Sequence, residues 1–334
     1  MRYQAAVVLA LILFWGYPHL TYGGPAGKAA RSNEEAKTRV EVRHFSFPAD
    51  YPLGSLHMMG NEKDGTEADD RSIGPAKGAV SLTVPPGQTI LLDLNPRCLE
   101  LPERLKNIHT AGINRLKMRY LSMDDNDHSH CDRALQALPE FKDLISLDVA
   151  RSDATDKGLS GFKSLPSVKH LLAYGADLDG SIFKETQKLR NLESLFLSLS
   201  PIKSENFKYL SALPHLTELQ LSHLNLEDKD LIFLSQCRQI KQLYMFGNPK
   251  ITDKSLPVFK QLTPLEELDI RGCGISLPGV LTLKNLKLTK LLLPVKRYRP
   301  NEIEELQKAF PKTLVCYRGE GVAKDDQIFF APLK

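Results

Sequence analysis

The chain has 334 residues, of which 42% are hydrophobic and 25% are charged, and this balance excludes a wholly disordered protein. The formal net charge is only +4, so charge gives no argument for nucleic acid or an anionic membrane surface as a partner. The five cysteines are too few and too scattered for a small disulfide-built scaffold, and their odd number leaves at least one thiol free or intermolecular.

Residues 1–23 have the pattern of a secretory signal peptide. Arg2 precedes an unbroken apolar run over residues 5–15, which is shorter than the ~20 residues needed to span a bilayer. Small residues favour cleavage near Gly23, and an uncleaved anchor is the alternative. We therefore expect a secreted, periplasmic or envelope-associated protein with no membrane span after cleavage. Residues 24–40 are predicted to be a flexible linker.

Residues 41–88 contain short extended stretches separated by turns that contain proline and glycine. This pattern predicts a small β cap that precedes the rest of the domain.

Residues 89–295 repeat a motif with the form apolar-x-x-apolar-x-apolar, and successive clear copies lie 23 to 25 residues apart. The clear copies begin at Leu144, Val168, Leu192, Leu216, Ile240, Leu265 and Leu288. Two weaker copies begin at Thr89 and Ile113. Each copy continues into residues with helical spacing, so the repeating unit is a strand, a turn and a short helix. Stacked units bury a continuous core, with helices outside and parallel strands along the inner side of an arc.

Two segments of this array carry a family resemblance: QIKQLYMFGNPKITDKSLPVF, from Gln239 to Phe259, and LEELDIRGCGIS, from Leu265 to Ser276. They resemble leucine-rich repeats, with Asn248 and Cys273 at the position where such repeats place a ladder of Asn or Cys side chains. The chain is most similar to secreted bacterial leucine-rich-repeat proteins with a signal peptide. The resemblance implies an α/β solenoid of about nine repeats, with a curved parallel sheet inside, short helices outside, and binding of a ligand on the concave sheet.

Residues 296–334 are predicted to form a C-terminal cap. Pro300 and the acidic residues after it predict an amphipathic helix, and Leu314 and Val315 are candidates for a last strand.

Alternate strand positions point away from the core, so the residues that a ligand would meet are readable from the repeat. Large apolar side chains are concentrated there, at Leu172, Tyr174, Phe196, Tyr244 and Phe246, with basic residues in earlier repeats at Arg115, Lys117 and Arg119. One interpretation is a binding hot spot for a protein or a glycan. The other is lateral packing of aromatic side chains that stiffens the sheet.

The inserted segment over residues 124–132 is rich in oxygen, imidazole and thiol groups. Its spacing matches neither an EF-hand nor a paired zinc motif, so we expect a solvated acidic loop and no metal or other cofactor. Asp127, His128 and His130 are the candidate ligands if a metal does bind. Cys98 and Cys131 are a candidate disulfide pair, since both follow strands of consecutive repeats.

The sequence contains none of the short catalytic motifs of serine hydrolases, zinc proteases or nucleotide-binding enzymes. We therefore expect a monomeric binding protein that is not an enzyme and does not bind nucleic acid. Two alternatives stay open. One is a self-associating structural or adhesive component of the cell envelope. The other is a hydrolase with an unrecognised site, for which His170 with Ser146 or Ser194 is a candidate pair.

Overall fold

A computed structural model of the chain describes residues 40–60, 70–120, 127, 129–319 and 328–329, with the backbone alone at 295–297, 318–319 and 328–329. The predicted signal peptide and residues 24–39 of the predicted linker lie outside these ranges. The described residues form two compact units, which lie within Met1–Val168 and Lys169–Lys334.

The first unit contains seven described strands: β1 (Glu41–Ser46), β2 (Gly54–Met59), β3 (Arg71–Pro75), β4 (Ala79–Val84), β5 (Thr89–Leu94), β6 (Arg115–Lys117) and β7 (Ser146–Asp148). β1 and β4 form an antiparallel pair. β2 pairs with β3 and β5 in antiparallel fashion, whereas β5, β6 and β7 run parallel to one another. The change from antiparallel to parallel pairing occurs at β5, which begins at the boundary predicted between the cap and the repeats.

Short helical segments follow the parallel strands of the first unit. They are α1 (Pro96–Glu100), α2 (His130–Ala137), α3 (Asp156–Gly161) and the 3-10 segments Pro102–Leu105 and Leu165–Ser167.

The second unit is a stack of parallel strands: β8 (His170–Leu172), β9 (Ser194–Phe196), β10 (Glu218–Gln220), β11 (Gln242–Tyr244), β12 (Glu267–Asp269), β13 (Lys290–Tyr298) and β14 (Leu314–Gly319). β15 (Ile328–Phe329) pairs with β14 in antiparallel fashion. Each strand from β8 to β13 pairs in parallel with the next.

The return segments of the second unit include α4 (Leu256–Gln261), α5 (Leu277–Leu281), α6 (Pro300–Ala309) and the 3-10 segments Ser181–Lys184, Ser204–Ala212, Asp228–Gln236 and Asp253–Ser255. Much of what the sequence predicted as short helix is therefore 3-10 helix. The tighter 3-10 turn is common in short connecting pieces of this kind.

A column of leucines explains why the strands of the second unit stack in register. The second residue of each strand from β8 to β13 is a leucine that is fully buried: Leu171, Leu195, Leu219, Leu243, Leu268 and Leu291. Because side chains alternate along a strand, burial of this residue turns its two neighbours to the opposite face of the sheet. The predicted α/β array of parallel strands and short helices is confirmed.

Asn248 secures one turn between neighbouring repeats. It is completely buried, and its Nδ2 donates to the carbonyl oxygens of Leu221 (2.9 Å) and Met245 (2.8 Å). Its Oδ1 accepts from the backbone N–H groups of Leu224 and Leu226, both at 3.1 Å. One side chain thus satisfies four backbone groups that have no partner within a strand.

Aspartates also join successive repeats through their return segments. In the first unit Asp132 accepts from the Thr155 N–H (2.8 Å) and hydroxyl (2.6 Å), while the Thr155 oxygen caps α3 by accepting from the Lys157 N–H. In the second unit Asp228 accepts from the Thr252 N–H and hydroxyl, each at 2.7 Å. These contacts fix the spacing of adjacent return segments.

Candidate functional site

The candidate surface is the strand face of the second unit, defined as the side of β8–β13 opposite the buried leucine column. In β8 and β10 the residues on both sides of the central leucine are partly exposed. Parallel neighbours on both edges of β9–β12 hold the backbone that carries these side chains.

Three of the predicted ligand-binding residues lie at one end of this face. Leu172 and Phe196 are register neighbours on β8 and β9, and both are partly exposed. Tyr174, two residues after Leu172, is also partly exposed. These side chains have the exposure that the repeat pattern predicted.

Tyr244 does not. It is only 5% exposed, and its hydroxyl donates to Glu267 Oε2 at 2.9 Å. Gln220 stands between Phe196 and Tyr244 in the register, so the predicted patch is interrupted. The expectation of an exposed Tyr244 is wrong, because its ring lies along the sheet toward β12 instead of projecting from it. For this residue, lateral packing describes the geometry better than an exposed anchor.

Phe246 is partly exposed and is held on two sides. The His223 ring meets it edge to face, with 4.7 Å between centroids, and the Arg271 guanidinium lies 5.1 Å from the Phe246 centroid. Arg271 is itself fixed, because its Nε and Nη2 donate to the carboxylate of buried Asp269 at 2.9 and 2.6 Å. Phe246 is therefore an immobilised aromatic group on the strand face.

The turn beside Phe246 depends on one glycine. His223 has a backbone φ of 55°, in the left-handed region that non-glycine residues enter at an energetic cost. Its ring covers Gly247, where an added Cβ would lie 2.3 Å from the imidazole. Burial lowers the pKa of His223, and the nearby Asp269 carboxylate opposes that shift.

The sequence hypothesis omitted the three polar residues around Phe246, namely His223, Asp269 and Arg271. Asp269 ends β12 and Arg271 lies in the turn two residues later, an alternation that was present in the repeat pattern. The position of the His223 ring over Gly247 could not be predicted from the sequence.

The predicted basic residues of the first unit are all engaged in contacts on neighbouring strands. Arg115 Nε donates to Thr89 Oγ1 (2.9 Å), Lys117 Nζ to Asp93 Oδ2 (2.5 Å), and Arg119 Nη2 to Asp148 Oδ2 (3.2 Å). Two of the three cations face carboxylates. The charge that they offer an anionic partner is correspondingly reduced.

The candidate metal ligands at the start of α2 have other roles. Asp127 accepts from the Ser129 N–H (3.1 Å) and hydroxyl (2.6 Å) and from Arg133 (2.5 Å). These contacts lower the pKa of Asp127 to about 2, the Ser129 bond most strongly. His128 lies outside the described residues. Among the residues that the structure describes, no cluster of three or more His, Cys, Asp or Glu side chains is placed to hold a metal ion.

His130 is nearly buried and stacks on Tyr120, with 4.3 Å between ring centroids. The Asp153 carboxylate accepts from the backbone N–H groups of His130 (2.7 Å) and Cys131 (2.9 Å). Asp153 therefore satisfies two of the free N–H groups in the first turn of α2.

The candidate disulfide between Cys98 and Cys131 is not formed, and all five cysteines are free and buried. The Cys98 thiol faces the Pro52 carbonyl oxygen at 3.9 Å, whereas Cys131 lies beside Asp153 in the first turn of α2. Burial, more than any neighbouring charge, raises the pKa of both thiols. The two cysteines are core residues with separate surroundings.

One candidate serine of the hydrolase pair, Ser194, forms a hydrogen bond with a carboxylate. Ser194 is buried, and its hydroxyl donates to Glu218 Oε2 at 2.7 Å. A serine that donates to a carboxylate in this way is held as part of the sheet surface.

A family model supports this architecture over one repeat. A profile of the leucine-rich repeat matches residues 261–284. A protein of Trypanosoma equiperdum described as a putative adenylate cyclase regulatory protein is 28% identical over 186 residues, which is 48% of this chain and 29% of the relative. The match thus spans less than a third of the relative's length.

Among solved structures, the leucine-rich-repeat-containing protein LegL7 from Legionella pneumophila is similar to 71% of this chain, over 84% of its own length, with 17% identity and a TM-score of 0.43. Within the described ranges no helix is both long enough and apolar enough to cross a membrane. The repeated strand, turn and short helix, with a matching repeat at residues 261–284, support a leucine-rich-repeat protein.

Proposed function

We propose that this chain is an interaction scaffold that binds a protein partner through the strand face of its second unit. The single observation that carries the proposal is the immobilised side chain of Phe246, held between His223 and the Asp269-anchored Arg271. An aromatic group that is already ordered before binding loses little conformational entropy in a complex, and such groups dominate the energy of protein interfaces.

A second part of the surface supports the same proposal. Leu172, Tyr174 and Phe196 expose apolar area on adjacent strands, while polar residues such as Gln220 separate this area from Phe246. Apolar anchors divided by polar groups are typical of interfaces that form and dissociate, because both separated chains remain soluble. The description of the trypanosomal relative as regulatory is consistent with a scaffold that acts on another protein.

A photo-crosslinking amino acid placed at Phe246 tests the proposal. The matched control carries the same group at Ile232, an apolar residue on the opposite, helical side that is 61% exposed. We expect a defined protein to crosslink from position 246 and not from position 232. Phe246→Ala should then weaken its binding about 30-fold, which corresponds to about 2 kcal/mol. Equal capture from both positions contradicts the proposal. Capture of a glycan alone also contradicts a protein partner and means that the site binds glycans.

Export is a further part of the proposal. It is supported by the residue pattern at 1–23 and by the cleavage signal near Gly23. Mass spectrometry of the protein made in its native host should find a chain that starts near Gly24. A full-length chain in the cytoplasmic fraction contradicts export.

A shift to larger species with concentration in analytical ultracentrifugation favours the self-associating envelope component over a monomeric scaffold.

A further inference from the structure

A serine, a histidine and an aspartate form a continuous hydrogen-bonded chain in the first unit. Ser55 and His57 are two residues apart on β2, so their side chains project from the same face of the sheet. Ser55 Oγ lies 2.9 Å from His57 Nε2, and His57 Nδ1 lies 2.8 Å from Asp70 Oδ1. Each distance is that of a well-formed hydrogen bond.

The chemistry of the three groups sets the direction of these bonds. An ionised carboxylate only accepts hydrogen bonds, so Asp70 holds the imidazole tautomer that has its proton on Nδ1. The lone pair of His57 Nε2 then faces the Ser55 hydroxyl, which donates to it. The order of groups is a nucleophile, a base and a carboxylate that orients the base, and this order activates serine in hydrolases on unrelated folds.

The position of β2 makes the chain of groups both rigid and accessible. β2 is paired on both edges, with β3 and β5, although the register with β3 shifts between Leu56 and His57, and Leu56 between the two functional residues is completely buried. The His57 and Asp70 side chains are 18% and 39% exposed, so a substrate reaches them from solvent. Rigid support on one side and access on the other are what a positioned nucleophile requires.

A cation lies on the same face. Ser55 is the register partner of Asp93 on β5, and Asp93 is the register partner of Lys117 on β6. The Lys117 ammonium group bonds Asp93 at 2.5 Å and is partly exposed. The Asp93 carboxylate lies between this cation and Ser55 in the register and neutralises much of its charge, so Lys117 supplies little positive charge to the serine.

We propose that Ser55, His57 and Asp70 form a nucleophilic site for acyl transfer, with a carboxylic ester as its class of substrate. This inference goes beyond the binding function, concerns the first unit, and does not depend on the strand face of the second. Ser55 and His57 are the catalytic residues, and Asp70 is a positioning residue.

The reaction is balanced without any co-reactant except water. Ser55 Oγ forms a bond to the ester carbonyl carbon, its proton passes to His57 Nε2, and the C=O π pair moves onto the oxygen. When the carbonyl reforms, the ester C–O bond breaks and the leaving alkoxide takes the proton from His57. Water then attacks the acyl-serine with His57 as the base. This step releases the carboxylic acid and restores the serine hydroxyl.

A matched control exists in the same unit. His44 Nδ1 lies 2.8 Å from Ser81 Oγ, and both residues are exposed. No carboxylate contacts the second His44 nitrogen among the described residues. This pair therefore has a serine and a histidine at nearly the same distance, through Nδ1 instead of Nε2 and without the orienting aspartate. It separates the effect of the complete chain of groups from that of a simple Ser–His contact.

The test is covalent labelling of the full chain with a fluorophosphonate, which leaves a stable phosphonyl adduct on an activated serine. Peptide mapping should find the adduct on Ser55 and not on Ser81. Labelling should disappear in Ser55→Ala and persist in Ser81→Ala. His57→Ala should slow it at least about 100-fold, and added imidazole should restore part of the rate. Asp70→Asn should slow labelling, while Asp70→Glu should retain more of the rate than Asp70→Asn does.

Unchanged thermal unfolding of each variant separates chemistry from folding, and imidazole rescue is a readout that a purely structural histidine does not give. The proposal is overturned if wild-type Ser55 stays unlabelled while a known serine hydrolase in the same tube reacts. It is also overturned if Ser55 and Ser81 react equally, or if His57→Ala leaves the Ser55 rate unchanged. Each of these results leaves the crosslinking test of the strand face unaffected.

Discussion

Replacement of Asn248 by alanine gives a quantitative test of how the repeats are joined. The substitution removes four hydrogen bonds. It leaves the Leu221 carbonyl and the N–H groups of Leu224 and Leu226 without that partner, while the Met245 carbonyl keeps a weak bond from the Cys273 thiol at 3.4 Å. A buried hydrogen bond contributes about 1 kcal/mol net, and an abandoned buried group costs about 1–3 kcal/mol. We therefore expect Asn248→Ala to lower the free energy of unfolding by about 4 kcal/mol.

Urea denaturation followed by far-ultraviolet circular dichroism measures this loss, because the midpoint shifts at constant slope when stability alone changes. Asn285→Ala is the control, since Asn285 is exposed and the chemical change is the same. We expect the control to change stability by less than about 0.5 kcal/mol. A loss below about 1 kcal/mol for Asn248→Ala would refute the reasoning, because it would mean that water or a rearranged turn satisfies the four backbone groups.

Three further predictions concern helix packing, acid stability and the thiols. Gly158→Ala should destabilise the chain by about 2 kcal/mol in thermal unfolding, although alanine is the better helix former, because its Cβ would lie 2.0 Å from Asp132 Oδ1; an increase in Tm contradicts this. The pKa of Asp228 is lowered because hydrogen bonds from Ser255 and Thr252 outweigh the effect of burial, which is the largest single cause and raises the pKa. Its stabilisation is therefore present above the unfolded pKa of about 3.9 and is lost as pH falls through the lower folded value. Asp228→Asn should accordingly reduce the pH dependence of the free energy of unfolding below about pH 4. The control Asp50→Asn, at an exposed aspartate, should leave that pH dependence unchanged. Burial raises the pKa of the thiols, to about 12 for Cys237 and Cys273 and about 11 for Cys316, so a thiol reagent at pH 8 should react with none of the five cysteines until the chain unfolds. Five reactive thiols after unfolding without reductant are expected, and three would mean that a disulfide had been present.

The sequence was sufficient to predict the fold class. A repeat of 23 to 25 residues in which period 2 changes to helical spacing has few solutions other than a stack of strand–turn–helix units. The leucine column from Leu171 to Leu291 follows directly from that pattern. Asn248 was placed correctly at its turn by the resemblance to leucine-rich repeats, because the resemblance includes the position of a single polar side chain.

The candidate site was predicted only in part. Exposure of Leu172, Tyr174 and Phe196 follows from the alternation of side chains along a strand. Tyr244 has the same alternation and is buried, because Glu267 on the next strand accepts its hydroxyl hydrogen bond. The repeat pattern gives the face toward which a side chain points, but it does not give the rotamer.

The sequence by itself therefore determined the period, the strand and return segments and the buried leucines, because each depends on local spacing that recurs along one chain. Only the tertiary structure decided which polar groups meet. Strand register and rotamer set which side chains become partners. Examples are the contacts of Asp269 and Arg271 around Phe246, the hydrogen bonds from threonine to aspartate, and the Ser55–His57–Asp70 chain. Hydrogen bonds require positions accurate to a few tenths of an ångström, and such positions are fixed only when the strands have paired and the core is packed.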